Sequence, residues 1–366
     1  MKFNSKFFLP KTAGMSVMRV MSMLRIMRLM RLMGLMGLRT FKHHLGYSAS
    51  LAMMVCLGLV SGPLMAQSYP TKPIRLVCPF PAGGAVDIAS RAIAQEFTKS
   101  MGIAVTVDNR PGAGGNIGSQ EVVRAPADGY TLLMTSSAIQ AINPFLYNKM
   151  SFDPSRDLQP ISVLVSLNNV LVVHPALKVN SVADIIAQAK AAPGAMNFAS
   201  SGSGTSIHMS GEMFKSMAGV NLVHIPYKGS SPATTDLMGG QVMMMFDNIP
   251  SSMPHIKSGK LRAIATTGAK RDPSLPDLPT IAESGVPGYE ASVWFGLMSP
   301  LGLPKEIVNK LSTEVGKASK SADYVHRMSE MGFIVMGTSP EQMAQMNKEE
   351  VARWGPIVKA SGAKAD

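Results

Sequence analysis

Short apolar runs alternate with segments of helical period from Ile74 onward, and they do so in two successive series. "IRLVCPF" precedes a helical stretch over 85–100, and "IAVTVDN", a short helix near 116–124 and "YTLLMTSS" follow. Strands that alternate with helices belong in a parallel sheet covered on its faces, so the fold class is α/β. After "ISVLVS" a second series starts with "VLVVHP". It holds helices over 181–191, 205–217 and 232–238, with the strands "MNFASS", "VNLVHIPY", "VMMMFDN" and "LRAIATTG" between and after them. Past Pro279 the pattern changes to "ASVWFGLMSP", helices near 305–320 and 322–331, a short "FIVMG" and a last helix over 340–360. These elements complete the first sheet if the chain crosses between domains near Ser166 and returns near Glu290. Domain 1 is then expected at 67–166 with 290–366 and domain 2 at 167–289, and two crossings make a hinge.

Charge narrows the function classes once its position is considered. The formal net charge of the 366-residue chain is +12, but residues 1–66 hold nine basic side chains and no acid. The remainder carries +3, too little for a nucleic-acid or membrane-surface binder. Residues 1–66 themselves read as an export signal, a long basic region before the apolar "SASLAMMVCLGLVSGPLMA", with cleavage expected after Ala66. Val55 before Cys56 does not suit a lipidation site. Cleavage leaves Cys78 as the one cysteine, so no internal disulfide is expected.

The junctions between strands and helices carry the chemistry. In parallel α/β sheets, ligands sit beyond the carboxyl ends of strands, where helix N-termini direct free N–H groups and a positive dipole end. The turn Pro81-Ala82-Gly83-Gly84 lies at such an end, and the amides of Gly83, Gly84 and Ala85 can converge on an anion there. A plain strand-to-helix turn reads equally well at this one site. Four further small, hydroxyl-rich junctions favour a ligand cleft: "NRPGAGGNIGS", "TSSA" with Ser136 and Ser137, "SSGSGTSIH" with Ser201, Gly202, Gly204 and Thr205, and "PYKGSSPA" with Tyr227, Lys228 and Gly229.

Nucleotide fingerprints fail. Ile117 stands where G-x-G-x-x-G requires glycine, and no G-x-x-x-x-G-K-[ST] is present. Ser206 and His208 raise the alternative of a periplasmic serine hydrolase or isomerase, but two residues of separation put them on different helix faces and no G-x-S-x-G elbow exists. The scattered His174, His224, His255 and His326 do not form a zinc pattern, and neither a metal nor a cofactor is expected. Asp87, one turn into the first helix, either answers the helix dipole or meets a cationic ligand group. Asp247, at the end of a strand, is either an Asx-turn residue or a pocket acid. His208 reads as a pocket hydrogen-bonder or a packed core residue, and Lys228 as a carboxylate partner or a solvated loop lysine.

The segments "PIRLVCPFPAGGAVDIASR", "VDNRPGAGGNIGSQEV", "NFASSGSGTSIHMSGEMF", "HIPYKGSSPATTDLMGGQVMMMFDNIPSS" and "PDLPTIAESGVPGYEASVWFGLMSP" resemble the extracytoplasmic solute receptors of the tripartite tricarboxylate transporter group, also called Bug proteins. The resemblance runs from about Tyr69 to the final helix. It implies a bilobal periplasmic binding protein of the type II, Venus-flytrap kind, not an enzyme. It also implies a small carboxylate held between the lobes by Pro81 to Gly84, Ser200 to Thr205 and Tyr227 to Ser231. Asp87 and Asp247 match acidic positions of the family motifs. The implied partner is a membrane permease of two integral subunits, and the receptor is expected to be a monomer in the periplasm. Cys78, where the family more usually has an aliphatic residue, and the long Met/Arg leader are departures.

Overall fold

A computed structural model describes residues 69–365. The leader, its cleavage point and Cys56 lie outside the described residues.

β1 (Ile74–Cys78) buries four of its five side chains because helices cover both faces of its sheet. It pairs in parallel with β2 (Val105–Asn109) and β3 (Thr131–Ser136). Helix α1 (Ala85–Met101) returns between β1 and β2, burying Val86, Ala89, Ile93 and Phe97, and ends at Gly102 with φ of 70°. α2 (Asn116–Val123) and the five-residue α3 (Ser137–Ala141) follow β2 and β3, and the single turns α4 (Asn143–Leu146) and α5 (Pro154–Asp157) lead onward.

Two long strands join this half of the sheet to the second. β4 (Leu158–Val173) runs antiparallel to β9 (Ser292–Pro300) over 158–168 and to β7 (Met244–Asn248) over 169–173. The sequence separates "ISVLVS" from "VLVVHP" because two asparagines interrupt the apolar run. The structure instead makes one 16-residue strand. Asn168 and Asn169 are accommodated because each finds side-chain partners: Asn168 Nδ2 donates to Asp272 (2.9 Å) and Asn169 Nδ2 to Ser210 (3.0 Å). A polar pair inside a sheet costs little once hydrogen-bonded.

The second half repeats the first. After α6 (Val182–Ala191), whose start is fixed by a capping box of Ser181 and Asp184, β5 (Asn197–Ser200) pairs in parallel with β6 (Val223–Pro226) and β7. α7 (Ser206–Ala218) follows β5, α8 (Ser230–Met238) follows β6, and α9 (Ile249–Lys257) follows β7. The sequence shows no sign of α9, since Pro250 and Pro254 both argue against a helix. Pro250 sits in the first turn, where an N–H would have no helical partner anyway. β8 (Arg262–Thr266) pairs with β4. The main path of the sheet is β2-β1-β3-β9-β4-β7-β5-β6. It is parallel within each half, as the sequence indicates, and antiparallel where β4 and β9 join the halves.

The chain ends in α10 (Lys305–Ala318), α11 (Ala322–Glu330), the short β10 (Ile334–Val335) against β4, and α12 (Pro340–Ser361), which buries Trp354. No helix among the described residues is long and apolar enough to cross a membrane.

Candidate ligand-binding cleft

β1 and β3 run towards the middle of β4 from one half of the sheet and β5, β6 and β7 towards it from the other, so their carboxyl ends meet near Asn168 and Asn169, and the helix after each starts at the same cleft. Its wall takes Gly84, Ala85 and Val86 from the start of α1, Ser136 and Ala138 from α3, and Thr205 and Ser206 from α7. Ser230 comes from α8 and Asn248 from the start of α9. Phe80, Pro81, Ser201 and Phe295 complete it, and the free space between the walls is about 30 Å³. None of these side chains is charged. Uncharged polar side chains (Ser136, Ser201, Thr205, Ser206, Ser230 and Asn248) and the dipole ends of the helix starts therefore give the cleft its polarity.

The glycine that the first loop requires is Gly83, at φ 84°; Gly84 is extended (φ −84°, ψ 167°) and caps α1 with backbone only. The Gly83 N–H is not turned to the cleft: it donates to Asp87 Oδ2 at 3.0 Å. The same carboxylate accepts from Arg91 Nε (2.9 Å) and Asn109 Nδ2 (2.9 Å), and Asp87 is 3% exposed. Burial alone would raise its pKa. The bonds from Arg91, Gly83 and Asn109 outweigh burial and hold it below the ordinary carboxylate range. Asp87 thus secures the loop and does not line the cleft.

On the opposite wall the Thr205 hydroxyl donates to Gly202 O (2.8 Å) and accepts from His208 N (3.3 Å), so it caps α7 while lining the cleft. Gly202 (φ 125°) and Gly204 (φ 83°) shape the loop before it. His208 lies behind this loop, 3% exposed, its Nδ1 accepting from Gly204 N–H at 3.3 Å. Its ring stacks on His224 at 4.0 Å, and His224 Nε2 meets Ser200 Oγ at 2.6 Å. Burial first, then the charges of His224 and Lys215, pushes His208 down to about 3, and burial and Lys215 push His224 down to about 4. Both are neutral at pH 7. Ser206 and His208 share no hydrogen bond among the described residues, so the Ser–His pairing that a hydrolase needs is not formed.

Asp247 is fully buried behind the wall, accepting from Ser230 Oγ (2.8 Å) and Ser252 Oγ (2.7 Å). Burial pushes its pKa up to about 6 against the pull of those bonds. Ser137 is also buried, its hydroxyl accepting from Trp294 N at 3.4 Å. Gly202, Tyr227 and Lys228 line a neighbouring hollow that shares Phe80, Pro81 and Ser201 with the cleft. The Tyr227 hydroxyl is engaged by Asp236 at 2.7 Å. Ala82 and Gly229 lie where opposite walls touch: Ser231 Oγ donates to Ala82 O (3.0 Å), and a Cβ on Gly229 would meet Pro81 at 2.5 Å.

Of the residues singled out from sequence, Pro81, Gly84, Ser136, Ser201 and Thr205 come together in the cleft wall. Asp87, His208, Asp247 and Ser137 stand behind it. Ala85, Ala138 and Ser230, each within a junction marked from sequence, are also in the wall, whereas sequence reasoning overlooked Phe80, Val86, Asn248 and Phe295. Phe295 reaches the cleft through the antiparallel pairing of β9 with β3, opposite Ser136.

The family model described as tripartite tricarboxylate transporter family receptor (TctC) matches residues 89–363. The chain belongs to this family. The receptor is 37% identical over 317 residues to protein BugT of Bordetella pertussis, covering 86% of this chain and 97% of BugT. Among solved structures it resembles R. palustris Rpa4515 with adipate (40% identity, TM-score 0.79, covering 80% of this chain and 98% of that one). It also resembles MatC from Rhodopseudomonas palustris with bound malate (29% identity, TM-score 0.76, covering 79% and 100%). The family is one of solute receptors, not enzymes.

Proposed function

We propose that this receptor captures a small organic carboxylate in the cleft between two lobes, residues 67–166 with 290–366 and residues 167–289. The ligand class is a di- or tricarboxylate, an acidic amino acid or an aromatic acid. The observation that carries the reading is the convergence of five helix starts on a cleft with no charged side chain. Backbone amides there replace the water shell of a carboxylate without a counter-charge to hold it permanently. The adipate and malate of two structural neighbours support the carboxylate class.

The protein acts in the periplasm as a monomer. Closure of the lobes over the ligand favours the form that docks on a membrane permease of two integral subunits. Contacts made only in the closed state supply the population shift. Pro81, Gly84, Ser201 and Thr205 contact the ligand from opposite walls.

Thermal unfolding of the refolded, ligand-free protein against a panel of carboxylates, amino acids and amines tests this reading. A ligand at a hundredfold over its Kd adds about 2.7 kcal/mol, a shift of a few degrees. Stabilisation by carboxylates and not by simple amines is expected; stabilisation by amines alone would overturn it.

A further inference from the structure

Helix-start amides supply the donors of the cleft, and Ser230 is a wall residue whose hydroxyl is turned away from them. Asp247, at the end of β7, is 0% exposed, and no cation pairs with it among the described residues. An ionised carboxylate offers only acceptor sites, so each hydroxyl beside it must give up its single proton to it. Ser230 Oγ donates to Oδ1 at 2.8 Å and Ser252 Oγ to Oδ2 at 2.7 Å. Ser252 is buried and stays out of the cleft, while Ser230 lines it. With its proton directed backwards, Ser230 has only lone pairs left for the ligand.

We infer that Asp247 is a specificity-determining residue. By holding the Ser230 proton it presents Ser230 to the ligand as a hydrogen-bond acceptor, so the receptor selects a carboxylate that also carries a donor, a hydroxyl or an ammonium group, over the unsubstituted acid. This rests on the carboxylate reading above. An unsubstituted acid leaves the Ser230 oxygen facing carbon or carboxylate oxygen, and an unmatched polar group in a closed site is costly. The buried negative charge one hydrogen bond behind strengthens the demand for a donor.

Isothermal titration with matched acids tests the inference: malate and aspartate against succinate, and mandelate against phenylacetate. The purified protein should bind the substituted member of a pair about tenfold more tightly. In Ser230→Ala the ratio should fall to near one. Ser252→Ala removes an equivalent bond to Asp247 without touching the cleft and should keep the wild-type ratio, which separates selectivity from a general loss of stability. Should Ser230→Ala not fold, Asp247→Asn provides a second reading, its ratio expected to fall as well. Equal affinity for substituted and unsubstituted acids in the wild type, or an unchanged ratio in Ser230→Ala, overturns the inference while leaving carboxylate capture standing. Failure of every acid to bind overturns the carboxylate reading and this inference with it.

Discussion

Ser231 and Ala82 face each other across the cleft, 149 residues apart in sequence, and the serine hydroxyl donates to the alanine carbonyl at 3.0 Å. The contact ties the start of α8 to the loop before α1, so it exists only while the walls touch. Ser231→Ala should therefore leave the unfolding midpoint of the ligand-free protein unchanged within error. It should raise the ligand dissociation rate a few-fold, because one exposed hydrogen bond of the closed form contributes about 0.5–1 kcal/mol. Stopped-flow release checks this, and an unaltered rate would count against the contact as a latch.

The two glycines of the first loop should behave differently. Gly84 has an extended backbone that valine adopts, and a Cβ there would lie 3.9 Å from Ser230 Cβ, directed across the cleft. Gly84→Val should keep the fold and abolish ligand binding. Gly83, at φ 84°, has no such freedom, so Gly83→Ala should cost about 1–2 kcal/mol of stability. Urea unfolding and titration on both variants distinguish these outcomes.

Asp87 should stabilise the protein in a pH-dependent way. Its folded pKa lies below the ordinary value, so its contribution is present above pH 4 and lost as pH falls through the folded pKa. Asp87→Asn should lose about 2 kcal/mol at pH 7 and show a flatter acid limb below pH 4. Equal limbs for the two proteins would contradict this.

His208 should act in a different window. Folding lowers its pKa from 6.5 to about 3 and that of the stacked His224 to about 4. The unfolded chain takes up these protons first, so stability is held above about pH 6.5 and lost below it. Asp247, raised to about 6, is protonated earlier when folded and partly offsets this between pH 6 and 4. Glu212, 3.8 Å from His208 Nε2, and Lys215 are the other charged groups facing the ring. His208→Asn keeps an acceptor for Gly204 N–H and removes the titration. Between pH 6.5 and pH 5 it should lose about 2 kcal/mol less than the wild type in denaturant unfolding; equal losses would show that His208 does not titrate as described.

The alternation of strands and helices was legible because periodicity records which faces are covered. The start of α7 at Thr205 and that of α1 at Gly84 were legible from their capping and glycine signals. β4 was not, because Asn168 and Asn169 look like a break until Asp272 and Ser210, distant in sequence, are brought beside them. The cleft was legible where backbone makes it, at Gly84 and Ser201. It was obscured where polar side chains could point either way. Asp87, His208 and Asp247 carry pocket chemistry, yet each faces inward to hold a loop or a hydroxyl, and sequence period does not report that direction. Phe295 left no trace, since only the antiparallel return of β9 beside β3 brings it to the site.

On the reading proposed above, helix starts and their amides hold a carboxylate in this cleft. Isothermal titration of the refolded protein at pH 7 with malate and with its diamide, equal in shape and lacking the charge, separates recognition of charge from recognition of shape. Binding of malate with no measurable heat from the diamide is the result expected. Equal binding of the two would show that negative charge is not what the five helix starts recognise.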